Sequence, residues 1–342
     1  MRAVVIREHG GPEVLAITEV PTPEPGFGQV RVRVRACALN HLDLWIRGGL
    51  PGAPWKLPRI TGADVAGDID ALGPGVSGLA IGEPVMVMPG LSCGQCARCV
   101  SGADHLCSSY GILGEHADGG LAEYCVVPSQ NLVRKPERLD YTEAAALSLT
   151  FLTAWHMLVA RAELRGGETV LVQAAGSGVG SAAIQIARHL GATVIATAGS
   201  PDKLDRAREL GADFGIDYST EDIVARTRAL TGGRGADVVF EHVGGEVFEK
   251  SLRALAWAGR LVTCGATTGT RAQVDLRHIF FKSQSILGST MGSKGEYHQL
   301  VKLYERGLFK PVIDRVLPLA EIADAHRALE AREVFGKIVM TL

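Results

Sequence analysis

The sequence has almost no excess of charge: 35 Lys and Arg stand against 37 Asp and Glu over 342 residues, a formal net charge of −2. So close a balance gives no electrostatic footprint for nucleic acid or an acidic membrane surface, and neither is expected as a partner. The chain does not open on a basic stretch followed by an apolar one, and no apolar run is counted that reaches membrane-spanning length. A cytoplasmic location is the expectation. Repeats are lacking as well: the 42 glycines fall at turns rather than at a fixed period, which excludes collagen-like and disordered readings. Cysteine is scarce, at seven residues, and unevenly spread. Cys93, Cys96, Cys99 and Cys107 crowd together, while Cys37, Cys125 and Cys264 lie far apart in apolar, strand-like surroundings and read as inert buried thiols. In a large chain of a reducing compartment, such crowding points to a metal site rather than a disulfide framework.

What is present divides the chain in two. The first third is β-rich: Val30-Arg31-Val32-Arg33-Val34-Arg35 alternates like a strand with one wet face, and Met1–Ile6, Leu15–Val20 and Gly82–Met88 read as further strands between Gly and Pro clusters. From about residue 150 strand and helix alternate, with strands expected at Thr169–Gln173, Thr193–Thr197, Phe214–Asp217, Val238–Glu241, Leu261–Cys264 and Ile286–Gly288. That series describes an open, mostly parallel, doubly wound sheet. The tail (strand Val316–Leu319, helix Ile322–Ala331, strand Lys337–Leu342) is too short for a core of its own and is expected to complete the first domain. The expected boundaries are 1–149, 150–290 and 291–342.

The four crowded cysteines are spaced C-x2-C-x2-C-x7-C. Four thiolates drawn together by one loop suit tetrahedral zinc, and four protein ligands leave no position for substrate, so the expected role is structural. An iron–sulfur cluster also uses cysteine quartets. Gly94 and Gly102 help such a loop fold back on itself.

After the strand at Thr169 comes Ala174-Ala175-Gly176-Ser177-Gly178-Val179-Gly180, and then a helix. Small residues let the backbone approach a pyrophosphate, and the helix N-terminus offers free N–H groups, so Ala175, Gly176, Ser177, Gly178, Val179 and Gly180 are candidate dinucleotide contacts. The second strand of the series ends Thr197-Ala198-Gly199-Ser200 without the acidic residue that usually bonds the ribose of NAD. Ser200 and Lys203, with Arg208 as a further candidate, could instead receive a 2′-phosphate, and Tyr218 is placed with them. NADP(H) is therefore favoured over NAD(H). His242, at the C-terminal end of the fourth strand, is a candidate cofactor-side contact or a structural loop histidine.

The zinc quartet, the split-domain order and the Ala-Ala-Gly-Ser-Gly-Val-Gly turn together resemble the medium-chain dehydrogenase/reductase family. So do Gly62-Ala63-Asp64-Val65-Ala66-Gly67, Gly119-Gly120-Leu121-Ala122-Glu123-Tyr124 and Leu149-Thr150-Phe151-Leu152-Thr153-Ala154-Trp155. The resemblance implies an α/β architecture, a GroES-like β-barrel domain carrying the zinc lobe plus a Rossmann domain, and an NAD(P)-dependent oxidoreductase. In zinc alcohol dehydrogenases of the family a second, catalytic zinc is held by a cysteine, a His-Glu pair and another cysteine. Those positions fall here on Asn40, Ala63-Asp64 and near Ala146, which lack soft ligands. Asn40 followed by Asp43 instead resembles the zinc-independent quinone reductases. The reaction implied is hydride transfer to a quinone or α,β-unsaturated carbonyl, whose conjugation spreads the developing charge so that hydrogen-bond donors suffice.

The candidate catalytic residues are Asn40, as donor to a substrate carbonyl, with Asp43, Asp64 and Thr150. Where some quinone reductases carry a tyrosine this chain has Trp45, so water or the substrate supplies the proton. Two other readings stay open: an alcohol or aldehyde dehydrogenase holding a metal through His41, Asp43, Asp64 or His116, and a non-catalytic dinucleotide-binding protein. Loops near Trp45–Trp55 and Ile279–Phe281 suggest a moderately apolar small-molecule substrate. The last strand of the series would sit at a sheet edge, which in the family pairs with its copy, so a homodimer or homotetramer is expected.

Overall fold

Val30, Val32 and Val34 bury one face of a ten-residue strand, while Arg31 and Arg35 on its other face meet Asp70 and Asp68 across the ladder at 2.6 and 2.7 Å. From such alternation the first sheet grows. In the computed structural model, which describes residues 1–50, 52 and 55–342, the elements run β1 (Arg2–Val5), β2 (Ala16–Glu19), β3 (Gln29–Ala38), α1 (His41–Gly48), β4 (Asp64–Leu72), β5 (Pro84–Val87), β6 (Gly90–Leu91), α2 (Ala97–Val100), β7 (Gly111–Ile112), β8 (Tyr124–Pro128), β9 (Leu132–Arg134) and α3 (Tyr141–Trp155). Then come β10 (Thr169–Val172), α4 (Gly178–His189), β11 (Thr193–Ala198), α5 (Pro201–Glu209), β12 (Phe214–Asp217), α6 (Ile223–Leu230), β13 (Ala236–Glu241), α7 (Gly245–Ala254), β14 (Leu255–Thr263), α8 (Leu276–Phe281) and β15 (Ser285–Gly288). The chain closes with α9 (Lys294–Glu305), β16 (Ile313–Pro318), α10 (Ile322–Glu330) and β17 (Lys337–Thr341). Residues 51, 53 and 54 of the apolar loop expected to face substrate lie outside the described residues.

The chain divides into two compact units, Met1–Leu149 with Ser293–Leu342, and Thr150–Gly292. In the first, the main sheet has the order β16-β17-β3-β4-β5-β9, with β8 also paired to β3. All its ladders are antiparallel except β16 with β17. The last strand is thus an interior one, seated on β3 with Val339 opposite Ala38, and its Ile338 and Met340 enter the same core as Val32, Val65 and Val85.

One element of this unit departs from the sequence reading. α9 is a twelve-residue helix burying Tyr297, Leu300, Val301 and Tyr304, in a stretch where no element is expected. Its start carries a readable signal, a capping box in which Ser293 and Glu296 satisfy each other's backbone N–H groups.

The second unit is a six-stranded parallel sheet of order β12-β11-β10-β13-β14-β15, which counted within the unit is 3-2-1-4-5-6, the doubly wound dinucleotide-binding order. β10 and β11 are apolar on both faces, as a parallel strand covered by helices must be. β14 begins six residues earlier than expected, through a register shift against β13.

The count of apolar runs also needs correction. Tyr141–Arg161, α3 and the π-helical turn that continues it, is long and apolar enough to cross a membrane by length and composition. Ser and Thr interrupt it in sequence, which hides its length. Most of it is buried inside the protein, as the core helix of a folded chain is.

Candidate functional site

The cysteine lobe is built on two left-handed glycines, Gly94 (φ 76°) and Gly102 (φ 82°), which let the chain double back where other residues would be strained. The four sulfurs converge: Cys93–Cys99 is 3.8 Å, Cys96–Cys99 3.5 Å, Cys96–Cys107 3.8 Å and Cys93–Cys107 3.6 Å. A tetrahedron of thiolates about 2.3 Å from zinc has edges of about 3.8 Å, so the lobe matches one zinc ion. A cluster of bridged irons would hold the sulfurs farther apart. Backbone N–H groups of Gln95 and Cys96 aimed at Cys93 bring its thiol down to about 6, toward the thiolate a metal needs. The lobe is fastened to the start of α9, where Asp104 accepts the Lys294 N–H at 2.9 Å and the Lys294 ammonium reaches Ser92 at 2.8 Å.

A second constellation lies where β3 gives way to α1. Asn40 caps α1 in extended conformation, and Asp43, three residues on, accepts the Asn40 N–H at 2.7 Å and the Gly62 N–H at 2.9 Å. Burial pushes the Asp43 carboxyl up to about 6, against the pull of those two N–H groups. With one backbone N–H on each oxygen, Asp43 is a clamp between α1 and the strand entry at Gly62.

Asp64 opens β4 and is fully buried. One oxygen accepts the Leu149 N–H of α3 at 2.7 Å; the other accepts the Asn40 side-chain amide at 3.0 Å and the Lys337 ammonium at 2.9 Å. Lys337 also donates to the Asn40 carbonyl oxygen at 2.6 Å, and it is only 4% exposed. Topology explains the meeting: β3 lies between β4 and β17, with Ala38 opposite both Asp64 and Val339. Lys337 is the residue the sequence reading misses. Its only local signal is a lysine opening an otherwise apolar strand, and its partners lie 273 and 297 residues away.

Of the Asn40 amide hydrogens, one goes to Asp64, and among the described residues the other reaches only the Ala38 carbonyl, at 3.5 Å. Thr150, next to Leu149 in α3, is buried. His41 is pushed down to about 4 by burial, then by Lys337 and Arg332, and stays neutral. His116 sits on its own loop, its Nδ1 accepting the Ile112 N–H at 3.1 Å. The alternative metal set His41, Asp43, Asp64 and His116 therefore does not gather. Among the described residues only the cysteine quartet brings three or more metal-ligating groups together.

In the second unit β10 runs into the glycine turn. Ala174 takes a left-handed conformation (φ 48°), and Ser177 caps α4 by accepting the Gly180 N–H at 2.9 Å. A Cβ on Gly180 would lie 2.5 Å from the Ala174 carbonyl, so only glycine closes this turn. Gly178 and Val179, in the first turn of α4, have no carbonyl four residues back within the helix, and their N–H groups form the positive helix end suited to a pyrophosphate. Ala175 is fastened to β11 through the Thr197 carbonyl at 2.8 Å, and Gly176 lies between it and the cap.

His242 is buried, with Nε2 at 3.1 Å from the Gln173 carbonyl and 3.2 Å from the Ser177 hydroxyl. A carbonyl partner requires a proton on Nε2, so this edge of the ring braces the turn. At the end of β11 Ser200 caps α5, its hydroxyl accepting the Lys203 N–H at 3.4 Å, and a Cβ on Gly199 would lie 2.7 Å from the half-exposed Tyr218 hydroxyl. The carboxylate level with Ala198 is Asp217 of the neighbouring strand, which accepts the Ser219 N–H at 2.9 Å and the Ser219 hydroxyl at 2.6 Å.

These features have counterparts in known proteins. Residues 26–137 match the alcohol dehydrogenase GroES-like domain, and residues 178–306 match the zinc-binding dehydrogenase domain. A quinone oxidoreductase of Pseudomonas aeruginosa is 36% identical over 97% of each chain, and a 2-haloacrylate reductase of a Burkholderia species is 32% identical over 99% of this chain and 98% of its own. A solved structure described as an NAD-dependent alcohol dehydrogenase is 52% identical, covers 100% of both chains and superposes with a TM-score of 0.96. With the doubly wound sheet, the glycine turn and the zinc-type cysteine lobe, these likenesses place the chain in the medium-chain dehydrogenase/reductase family, as an NAD(P)-dependent oxidoreductase.

Proposed function

We propose that the protein transfers hydride from NADPH to a quinone or an α,β-unsaturated carbonyl without a catalytic metal. The observation that carries this reading is the donor chemistry around Asp64. The positions matching the family's catalytic zinc ligands hold Asn40, Ala63, Asp64 and Ala146, with neither a thiol nor an imidazole among them. The one carboxylate is engaged by the Lys337 ammonium, the Asn40 amide and the Leu149 N–H. A dication does not fit beside that buried ammonium. When bound, the reduced nicotinamide supplies the hydride and is oxidised, while the conjugated acceptor gains two electrons and takes a proton from solvent. The chain's part is to bind the dinucleotide through Gly176, Ser177, Gly178, Val179 and Gly180, and to set Asn40 as a hydrogen-bond donor near developing oxyanion charge. Thr150 remains a candidate for the nicotinamide side. The 2′-phosphate is assigned to Ser200, Lys203 and Tyr218, because β11 ends without an acid.

The same reading includes one structural zinc in the cysteine lobe and a homodimer, or a tetramer of dimers, formed through the exposed edge at β15. Ile286 on that edge, together with Trp257, Phe280 and Phe281 elsewhere in the unit, leaves apolar surface that a second copy would cover.

A second reading is oxidation of an alcohol with a bound metal; the alcohol and NAD, though not the metal, are in the name of the 52% identical structure. One panel separates the two: NADPH and NADH oxidation with simple quinones and enones, and NAD reduction with alcohols before and after chelation. The proposal expects quinone or enone turnover, faster with NADPH and unchanged by chelator during the assay. Alcohol-dependent NAD reduction abolished by chelator would replace it. Asn40→Ala is expected to lower kcat on the best acceptor by about 100-fold, the usual cost of an oxyanion donor. Undiminished turnover would remove Asn40 from the mechanism.

A further inference from the structure

The carboxylate, amide and ammonium of Asp64, Asn40 and Lys337 close a three-membered hydrogen-bond ring, with edges of 3.0, 2.6 and 2.9 Å. Its chemistry allows a single arrangement. An ammonium can only donate and a carboxylate can only accept, so the Asn40 carbonyl oxygen must face Lys337 and its nitrogen must face Asp64. The amide cannot flip without placing N–H against the ammonium and carbonyl against carboxylate. Of the two amide hydrogens, one is spent on Asp64. Among the described residues the other reaches only the Ala38 carbonyl, at 3.5 Å, beyond the roughly 2.7–3.2 Å of an ordinary bond. A charged donor on the carbonyl oxygen also draws electron density from the amide nitrogen, and in a buried site that polarisation is strong.

We propose that Lys337 is a positioning residue. Its ammonium locks the Asn40 amide in one orientation and sharpens the second hydrogen as a donor for the carbonyl oxygen of a reducible substrate. The inference rests on the quinone or enone reading for the identity of that oxygen. Lys337 itself need not touch the substrate.

The test combines kinetics with a spectroscopic readout that needs no substrate. Lys337→Met alone would strand the Asp64 charge and risks misfolding, so it is paired as Lys337→Met/Asp64→Asn, beside Lys337→Arg and Asn40→Ala. On the acceptor that wild type reduces best, the paired variant is expected to lose kcat by about as much as Asn40→Ala, with KM within a few-fold. Adding Asn40→Ala to the pair should cost nothing further, because Lys337 acts through Asn40. Lys337→Arg should restore part of the rate. Additive losses, or a paired variant with wild-type kcat, would overturn the proposal.

Asparagine occurs only at Asn40 and Asn131, so wild type and Lys337→Arg labelled with 15N at asparagine show just two side-chain amide pairs, and the paired variant adds a third from Asp64→Asn, assigned by its absence from the other two. Asn131, held by the Met88 and Gly90 carbonyls, is an internal reference. Lys337→Arg and the paired variant should move the Asn40 pair and leave the Asn131 pair in place. If wild type reduces neither quinones nor enones, the substrate reading fails. An Asn40 pair that does not respond to Lys337 overturns the positioning role whatever the substrate.

Discussion

In residues 93–107 four sulfurs converge at 3.5–3.8 Å, whereas around Asp64 a carboxylate, an amide and an ammonium converge at 2.6–3.0 Å. Both clusters belong to the same unit, and the resemblance to the family's zinc alcohol dehydrogenases matches each to a metal-binding place. The first keeps soft donors, all within 4.8 Å of one another, and one exposed thiol, Cys93. The second has hard donors already satisfied by one another, and its positive charge is an amino group covalently part of the chain. On the proposed reading, a metal site is retained at one place and replaced at the other by a few side chains, with the charge at the second supplied by a residue of the chain. Here that residue is Lys337.

The contrast can be broken first at the lobe. Structural zinc sites bind with on the order of 10 kcal/mol, and that energy is folding energy for the segment around them. A strong chelator, or Cys107→Ser, is expected to open residues 90–115 to proteolysis and lower the melting temperature, while NADPH binding by the second unit persists. Unchanged protease resistance would show that the thiols hold nothing.

At the other cluster, Asp64→Leu leaves the Lys337 ammonium buried without its counter-charge. It should destabilise by about 3–5 kcal/mol in denaturant unfolding, and Asp64→Leu/Lys337→Met should recover most of that. Equal loss in the single and double variants would mean the pair is not coupled.

A smaller effect comes from Asp43. Its folded pKa, about 6, lies above its unfolded value of about 4 because burial disfavours the charge. Its contribution to stability is therefore full below pH 4 and lost as pH rises through 6, a loss of about 3 kcal/mol. Wild type should lose ground to Asp43→Asn between pH 4 and 6, as read by urea unfolding. A constant difference across that range would contradict the burial argument.

The two clusters also differ in how far they could be read from the sequence. The lobe is local: four cysteines within fifteen positions and two turn glycines announce it, and the structure adds only the distances. The parallel sheet is legible for the same reason, because each strand carries its own apolar run and each crossover its own helix. The Asp64 cluster is non-local. Asn40 and Asp43 are three residues apart and readable as a cap, but their partners arrive through the pairing of β3 with both β4 and β17, and no periodicity encodes which lysine meets which aspartate. α9 fails differently, since its capping box and its Tyr297, Leu300, Val301, Tyr304 stripe are present in sequence but follow directly on the last strand of the other unit.

The central claim, that one metal position is kept and the other is replaced by Lys337, is tested most directly by elemental analysis. The protein would be saturated with zinc, freed of loosely bound ion by gel filtration, and its zinc-to-subunit ratio measured. The account predicts one zinc per subunit, lost from a Cys107→Ser variant. Two zinc ions per subunit, with one persisting in Cys107→Ser and lost from Asp64→Asn, would contradict it.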